Sequence, residues 1–137
     1  MNAVGGTSLH YWGQSWRLNP WDFKVVSETV RRYGRSRIPA NSTVEDWPFG
    51  LETLEPYYDK TEYEVGVSGN AGNINGTIDP RGNIFEGSRS RHYPMPPLRS
   101  TGFTEHMERA ARALGWHPFP GPAAINSRVY DGRPGCV

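Results

Sequence analysis

His10 is the residue in this sequence best suited to bond or steady a cofactor. It follows the glycine pair Gly5-Gly6 and precedes Tyr11 and Trp12, so a nucleophilic imidazole, a permissive backbone and flat aromatic walls lie together. A Gly-Gly pair accepts positive φ and lets a ligand or another backbone approach closely. The residues alone leave two readings open, a cofactor loop and a packed loop histidine. His92, His106 and His117 stand in contexts that suit packing or solvent roles. No H-x-x-x-H or C-x-x-C pair occurs and Cys136 is the single cysteine, so a metal site within the chain has little support. There is no G-x-S-x-G, and Ser8 lies only two residues from His10, which gives hydrolytic nucleophile chemistry no footing. Neither G-x-G-x-x-G nor a P-loop is present. No catalytic or metal-ligating residue is therefore assigned.

Few elements are available to position such a loop. Lys24 to Arg32 reads as a short helix or a strand, undecided by its β-branched Val25, Val26, Thr29 and Val30. Leu54, Tyr58, Thr61 and Val65 mark one face of a helix expected to begin near Pro56 and stop at Gly66, with Asp59, Glu62 and Glu64 on its other faces. Residues 67–87 are rich in Gly and Asn and predict loop with at most short strands. The clearest helix runs from about Gly102 to Leu114, capped by Thr101 and stopped by Gly115. Its stripe of Phe103, Met107, Ala110, Ala111 and Leu114 predicts a core face, with Trp116 packing back on the last turn and His106 at the surface. Ala123 to Tyr130 reads as a candidate strand.

Several stretches together carry a family resemblance. Val4-Gly5-Gly6-Thr7-Ser8-Leu9-His10-Tyr11-Trp12-Gly13 resembles the V-G-G-x-(S/T)-x-H-W loop of glucose–methanol–choline (GMC) oxidoreductases, in the branch of gluconate and other sugar dehydrogenases and pyranose oxidases. Asp46-Trp47-Pro48-Phe49 and Leu54-Glu55-Pro56-Tyr57-Tyr58, then Val65 to Gly69, are similar to that branch's D-W-P, L-E-P-Y-Y and V-G-V-S-G stretches. Pro97-Leu98-Arg99, Leu114-Gly115-Trp116, Gly121 to Asn126 and Gly132-Arg133 follow in the family's order, so the likeness runs nearly end to end.

The resemblance implies FAD as cofactor, bound by Val4, Gly5, Gly6, Thr7, Ser8, His10, Trp12 and Gly13. In some members of the family the histidine at the His10 position is covalently attached to the flavin. This sequence writes His-Tyr-Trp where relatives write His-Trp, a one-residue departure. The implied fold is α+β: a loop-rich internal fragment of a two-domain flavoprotein, with about two to three helices. Residues 1–66 would belong to the FAD domain and 67–137 to the substrate-binding domain. The family's adenosine-phosphate fingerprint would precede Met1, itself an internal methionine on this reading, and its catalytic base would lie beyond Val137. The implied substrate of the parent is a small alcohol or sugar, oxidised at a CH–OH group.

Composition fits that picture. The net charge is +1 and the basic residues are scattered, which argues against a nucleic-acid binder. Arg31, Arg32, Arg35, Arg37, Arg89 and Arg91 read as solvated or locally paired. No run of about 18 apolar residues occurs, so no transmembrane segment is expected. Five Trp, seven Tyr and five Phe stand beside 16 Gly and 12 Pro, which leaves few aliphatic residues for a close-packed core. The competing reading is a stand-alone carbohydrate-binding or interaction module built on exposed aromatics.

Overall fold

Asp46, twenty residues downstream, makes a helix of the ambiguous segment after Lys24. Its carboxylate accepts the Val26 amide at 2.8 Å and the Ser27 amide at 3.2 Å, and also takes the Ser27 hydroxyl. These are the orphan N–H groups of a helix start, and a carboxylate there also meets the positive end of the helix dipole. The Ser27 hydroxyl leads the interactions that hold Asp46 below the usual carboxylate range. Helix α1 spans Val25–Tyr33. In this computed structural model, which describes residue 4 and residues 11–136, two further helices follow: α2 (Leu51–Val65) and α3 (Gly102–Ala113). Two short strands, β1 (Asn73–Ile74) and β2 (Thr77–Ile78), complete an α+β, loop-rich fold.

A 3-10 turn at Pro20–Phe23 leads into α1 and delivers Phe23, fully buried, against Trp47 and Phe49 at ring-centroid distances of 6.0 Å each. The Asp46-Trp47-Pro48-Phe49 stretch thus serves as both cap and aromatic wall. A second small core gathers Val67, Ala71 and Tyr93, with Ile74 and Ala124 packed on it. The hairpin beside it pairs Asn73 with Ile78 and Ile74 with Thr77. Its turn, Asn75-Gly76, has φ of 49° and 86°, the doubly left-handed form that a two-residue hairpin favours.

Helix α2 differs from the sequence expectation in two ways. It begins at Leu51, with Gly50 as N-cap, so Pro56 lies in its second turn rather than its first. Leu51 anchors this earlier start: it is buried under Gly87, whose other neighbour is the Pro20 ring. The inward face is also not the predicted one. Thr61 and Val65 are exposed, while Glu62 is 3% exposed. Gly66 does end the helix, at φ 87°. Near it Arg133 donates to the carbonyls of Val65 at 2.7 Å and Glu64 at 3.3 Å, satisfying free acceptors of the last turn.

Helix α3 has its predicted ends. Thr101 accepts the Thr104 amide, and the Thr104 hydroxyl accepts the Thr101 amide at 2.7 Å. At the far end, Trp116 N–H bonds Ala111 O and Gly115 N–H bonds Arg112 O, both at 3.0 Å, with Gly115 at φ 75°. The predicted core role of its stripe is overturned. Phe103 is 73% exposed, Met107 53% and Leu114 69%, and Trp116 stands out in solvent rather than against the last turn. Periodicity correctly reported an apolar face, but nothing among the described residues covers it. Ala123 to Tyr130 is not a strand either: Ala123 makes single backbone pairings with Gln14 and Ser68, and the chain then turns away. No helix among the described residues is long and apolar enough to cross a membrane.

Candidate functional site

Of the predicted cofactor-binding residues, Gly5, Gly6, Thr7, Ser8 and His10 lie outside the described residues. Val4, Trp12 and Gly13 lie within them. Val4 and Trp12 are exposed, Trp12 with its backbone at φ 62°, and Tyr11 is half-exposed. Gly13 follows at φ 59°, and a Cβ there would sit 3.1 Å from the Ala124 carbonyl oxygen. Left-handed backbone and a tight approach to Ala124 therefore both favour glycine at this position.

Below Gly13 the chain is pinned to a second segment. Ala124 N–H donates to Gly13 O at 2.6 Å, and Ser15 N–H donates to Pro122 O at 3.0 Å. Ala123 in turn exchanges both backbone bonds with Ser68, at 2.8 and 2.9 Å, and Gly69 N–H reaches Met95 O at 3.1 Å. The root of the loop is thus the outer rung of a short ladder running from Gln14 through Ala123 and Ser68 to Met95. Ser68 and Met95 are each only 1% exposed, so this ladder is firm at its inner end.

Two residues past Ser15 the chain enters a buried cluster of charge. Arg17 places Nε and Nη2 on the two oxygens of Glu62, each at 2.8 Å, and Nη1 on Glu55 at 3.1 Å. Glu62 also takes Nη2 of Arg89, while Glu55 accepts the Ser90 amide at 2.9 Å and its hydroxyl at 3.1 Å. Arg89 is fully buried over the Tyr93 ring, 3.7 Å from its centroid. Its Nη1 has no hydrogen-bond partner among the described residues and lies 3.8 Å from Glu86. Burial favours neutral Glu86 and pushes its carboxyl up, against the pull of the Gly72 amide and Arg89. Burial would depress Arg17, but the Glu62 and Glu55 carboxylates outweigh it and raise the guanidinium further.

Sequence reasoning missed this cluster. It passed over Arg17 and turned Glu62 outward, and it read Arg89 among solvated or locally paired arginines. The available signal was register: Leu51, Glu55, Tyr58 and Glu62 recur at four, three and four residues, a single helical stripe. The exposed ion pairs at Arg31 and Arg32, both on Glu28, fit the expectation of local pairing. None of the described histidines forms a catalytic pair. His117 bonds the Gly82 carbonyl at 3.1 Å beside Phe85 and Phe119, and His106 is exposed on α3. No group of three potential metal ligands occurs among the described residues.

The carboxylates of this face give a pH dependence with a definite sign. Burial raises Glu55, but Ser90 and Arg17 more than offset it and hold it below its ordinary value. The Arg91 guanidinium likewise holds Asp59 low. A depressed folded value stabilises the fold above the ordinary carboxylate range, and that contribution is lost as pH falls through the folded value. The contribution of these two groups to denaturant stability should accordingly decline from about pH 4 downward, opposed by Glu86, whose raised value favours the fold as pH falls. Glu55→Gln should flatten the decline; an unchanged slope in that variant would remove Glu55 from the account.

No protein-family model matches the chain. Its likeness to characterised proteins is nonetheless nearly full-length. It is 32% identical over 131 residues to the gluconate 2-dehydrogenase flavoprotein of Pantoea cypripedii, covering 93% of this chain and 21% of that protein. It is 37% identical to the paromamine 6'-oxidase of Streptomyces fradiae, with 97% of this chain and 20% of the relative covered. The fructose dehydrogenase large subunit of Gluconobacter japonicus is 35% identical, over 99% and 21%. These likenesses agree with the resemblance to the glucose–methanol–choline oxidoreductases, among them sugar dehydrogenases. The chain spans about a fifth of the length of the curated relatives it matches, and corresponds to a fragment of a protein of that kind.

Proposed function

We propose that this chain is the flavin-loop segment of an FAD-dependent oxidoreductase that oxidises CH–OH groups of alcohols or sugars. The observation that carries the reading is the likeness over 93% to 99% of the chain to three proteins named a flavoprotein dehydrogenase, an oxidase and a fructose dehydrogenase. Residues 1–66 are read as part of the FAD domain and 67–137 as part of the substrate domain. The described residues suit a bound flavin: a left-handed glycine at a tightly seated root, and Tyr11 and Trp12 exposed above it. Val4, Gly5, Gly6, Thr7, Ser8, His10, Trp12 and Gly13 would hold it. When bound, FAD supplies the acceptor for the substrate's hydride. This chain's own share is binding and orientation: glycine amides brought close to the cofactor, aromatic side chains limiting water, and the His10 imidazole contacting or bonding the ring. On this reading the segment alone neither retains FAD nor turns over substrate, because the adenosine-binding half and the proton acceptor lie elsewhere in the parent.

The test uses both forms of the protein. The 137-residue chain, mixed with FAD and gel-filtered, should emerge colourless. In the full-length parent, His10→Ala should lower flavin occupancy or shift its reduction potential while the fold persists, since a loop histidine carries little core packing. Acid denaturation of the wild-type parent then separates a covalent bond, in which flavin stays with the protein, from simple contact. A yellow, equimolar complex of the short chain would overturn the reading, as would a His10→Ala parent with unchanged occupancy, potential and turnover.

A further inference from the structure

The root of the 4–13 loop, at Gly13 and Ser15, is held by more than its backbone rungs. Those rungs are few, and their outer edge at Gln14 is partly open to solvent. Arg17, four residues after Gly13, has a side chain only 6% exposed, and it uses three nitrogens of one planar guanidinium on two carboxylates of α2. The same two carboxylates bind Arg89 and Ser90. Arg89 lies on Tyr93, whose ring also fills the space beside Gly69. One side chain therefore ties the loop's root to α2 and, through α2, to the segment beneath the ladder. Tyr58 adds a lighter contact, its hydroxyl 3.4 Å from Leu18 N.

We propose that Arg17 is a positioning residue for the flavin, clamping the root of the 4–13 loop, at Gly13 and Ser15, to Glu62 and Glu55. This rests on the reading of that loop as the flavin-binding one. A ligand-covering loop must be held to a fraction of an ångström by its supporting residues. A guanidinium spanning two carboxylates does that, and an ammonium of equal charge cannot, because it lacks the rigid fork. The role is specific to Arg17. Arg91 makes an ion pair of similar geometry on the same helix, two bonds of 2.7 Å to Asp59, without touching the root.

The experiment compares Arg17→Lys, Arg17→Met and Arg91→Met in the full-length parent, measuring thermal unfolding, flavin dissociation constant, visible circular dichroism and flavin midpoint potential. Arg17→Lys should fold, bind flavin roughly tenfold more weakly and show an altered visible dichroism or potential. Arg17→Met should do the same more severely or fail to fold, and Arg91→Met should leave every flavin signal at its wild-type value. If flavin is covalently held, the loaded fraction replaces the dissociation constant. Wild-type flavin signals in Arg17→Lys overturn the proposal, and so do equal changes in Arg91→Met, which would trace the effect to general loosening of α2. Gly6→Ala and His10→Ala in the same series separate the two ideas. If both leave the flavin untouched, the loop reading fails and the positioning role falls with it; if they perturb it while Arg17→Lys does not, only the positioning role is lost.

Discussion

Glu62→Ala is expected to cost about 3–5 kcal/mol of folding stability, the range for removing one partner from a buried ion pair. The carboxylate is 4% exposed and faces two guanidiniums, Arg17 at 6% and Arg89 fully buried. Removing it leaves both cations in a largely buried site that already holds one nitrogen without a partner among the described residues, Nη1 of Arg89. Small domains have only about 5–15 kcal/mol in total, so the variant should lose most of its cooperative unfolding transition in urea. Asp59→Asn is the control. Its partner Arg91 is 50% exposed, and breaking such a surface pair is worth about 1 kcal/mol or less. Equal losses in the two variants would mean that Glu62 is not the centre of a buried network.

Gly72→Ala should be nearly as damaging, at roughly 1–3 kcal/mol or more, the cost of forcing atoms into a filled interior. Its backbone is not left-handed; what forbids a side chain is space. A Cβ there would run into the backbone of Asn83, and one on Gly82 would meet Ala71 C and Gly72 N at 2.5 Å each. The two glycines let the strands of chain at 70–73 and 82–83 touch backbone to backbone, and backbone cannot swing aside as a side-chain tip can. Gly76→Ala provides the contrast, since its φ is 86° and nothing lies within 4 Å. Only conformational strain acts there, roughly 1 kcal/mol. Urea midpoints for the two variants should therefore differ clearly. If Gly72→Ala is as mild as Gly76→Ala, the 70–83 lobe is looser than its packing implies.

These cases show which parts of the fold the sequence made legible. Helix ends signalled by nearby residues were readable: the Thr101 cap, the Gly115 and Gly66 stops, and short strands within 67–87. Features decided at a distance were not. Whether α1 would be helix or strand depended on Asp46, well outside any local window. The start of α2 was misplaced because Pro56 suits a first turn, whereas burial of Leu51 against Gly87 and Pro20 began the helix earlier. Glu62 was turned outward because charge usually means solvent; its partners Arg17 and Arg89 lie 45 and 27 residues away. The stripe on α3 was correctly located and wrongly buried, since a helical period says which face is apolar and not what lies against it. At the loop, the family likeness supplied the candidate residues, while the Arg17 clamp beneath them carried no motif at all.

The ladder under the loop sets an order of events during synthesis. Gln14 pairs with Ala123, so the two sides of that rung leave the ribosome at widely separated times. Arg17 can meet Glu55 and Glu62 as soon as α2 has emerged, but Gly13 and Ser15 find their donor and acceptor, respectively, only after Pro122 to Ala124 have been made. Contacts so distant in sequence also carry the largest loop-closure cost and form late. During synthesis the Arg17 contacts with α2 therefore become possible before the Gly13 and Ser15 backbone bonds do. The rungs at Gly13 and Ser15 must wait until the 122–124 segment has been translated.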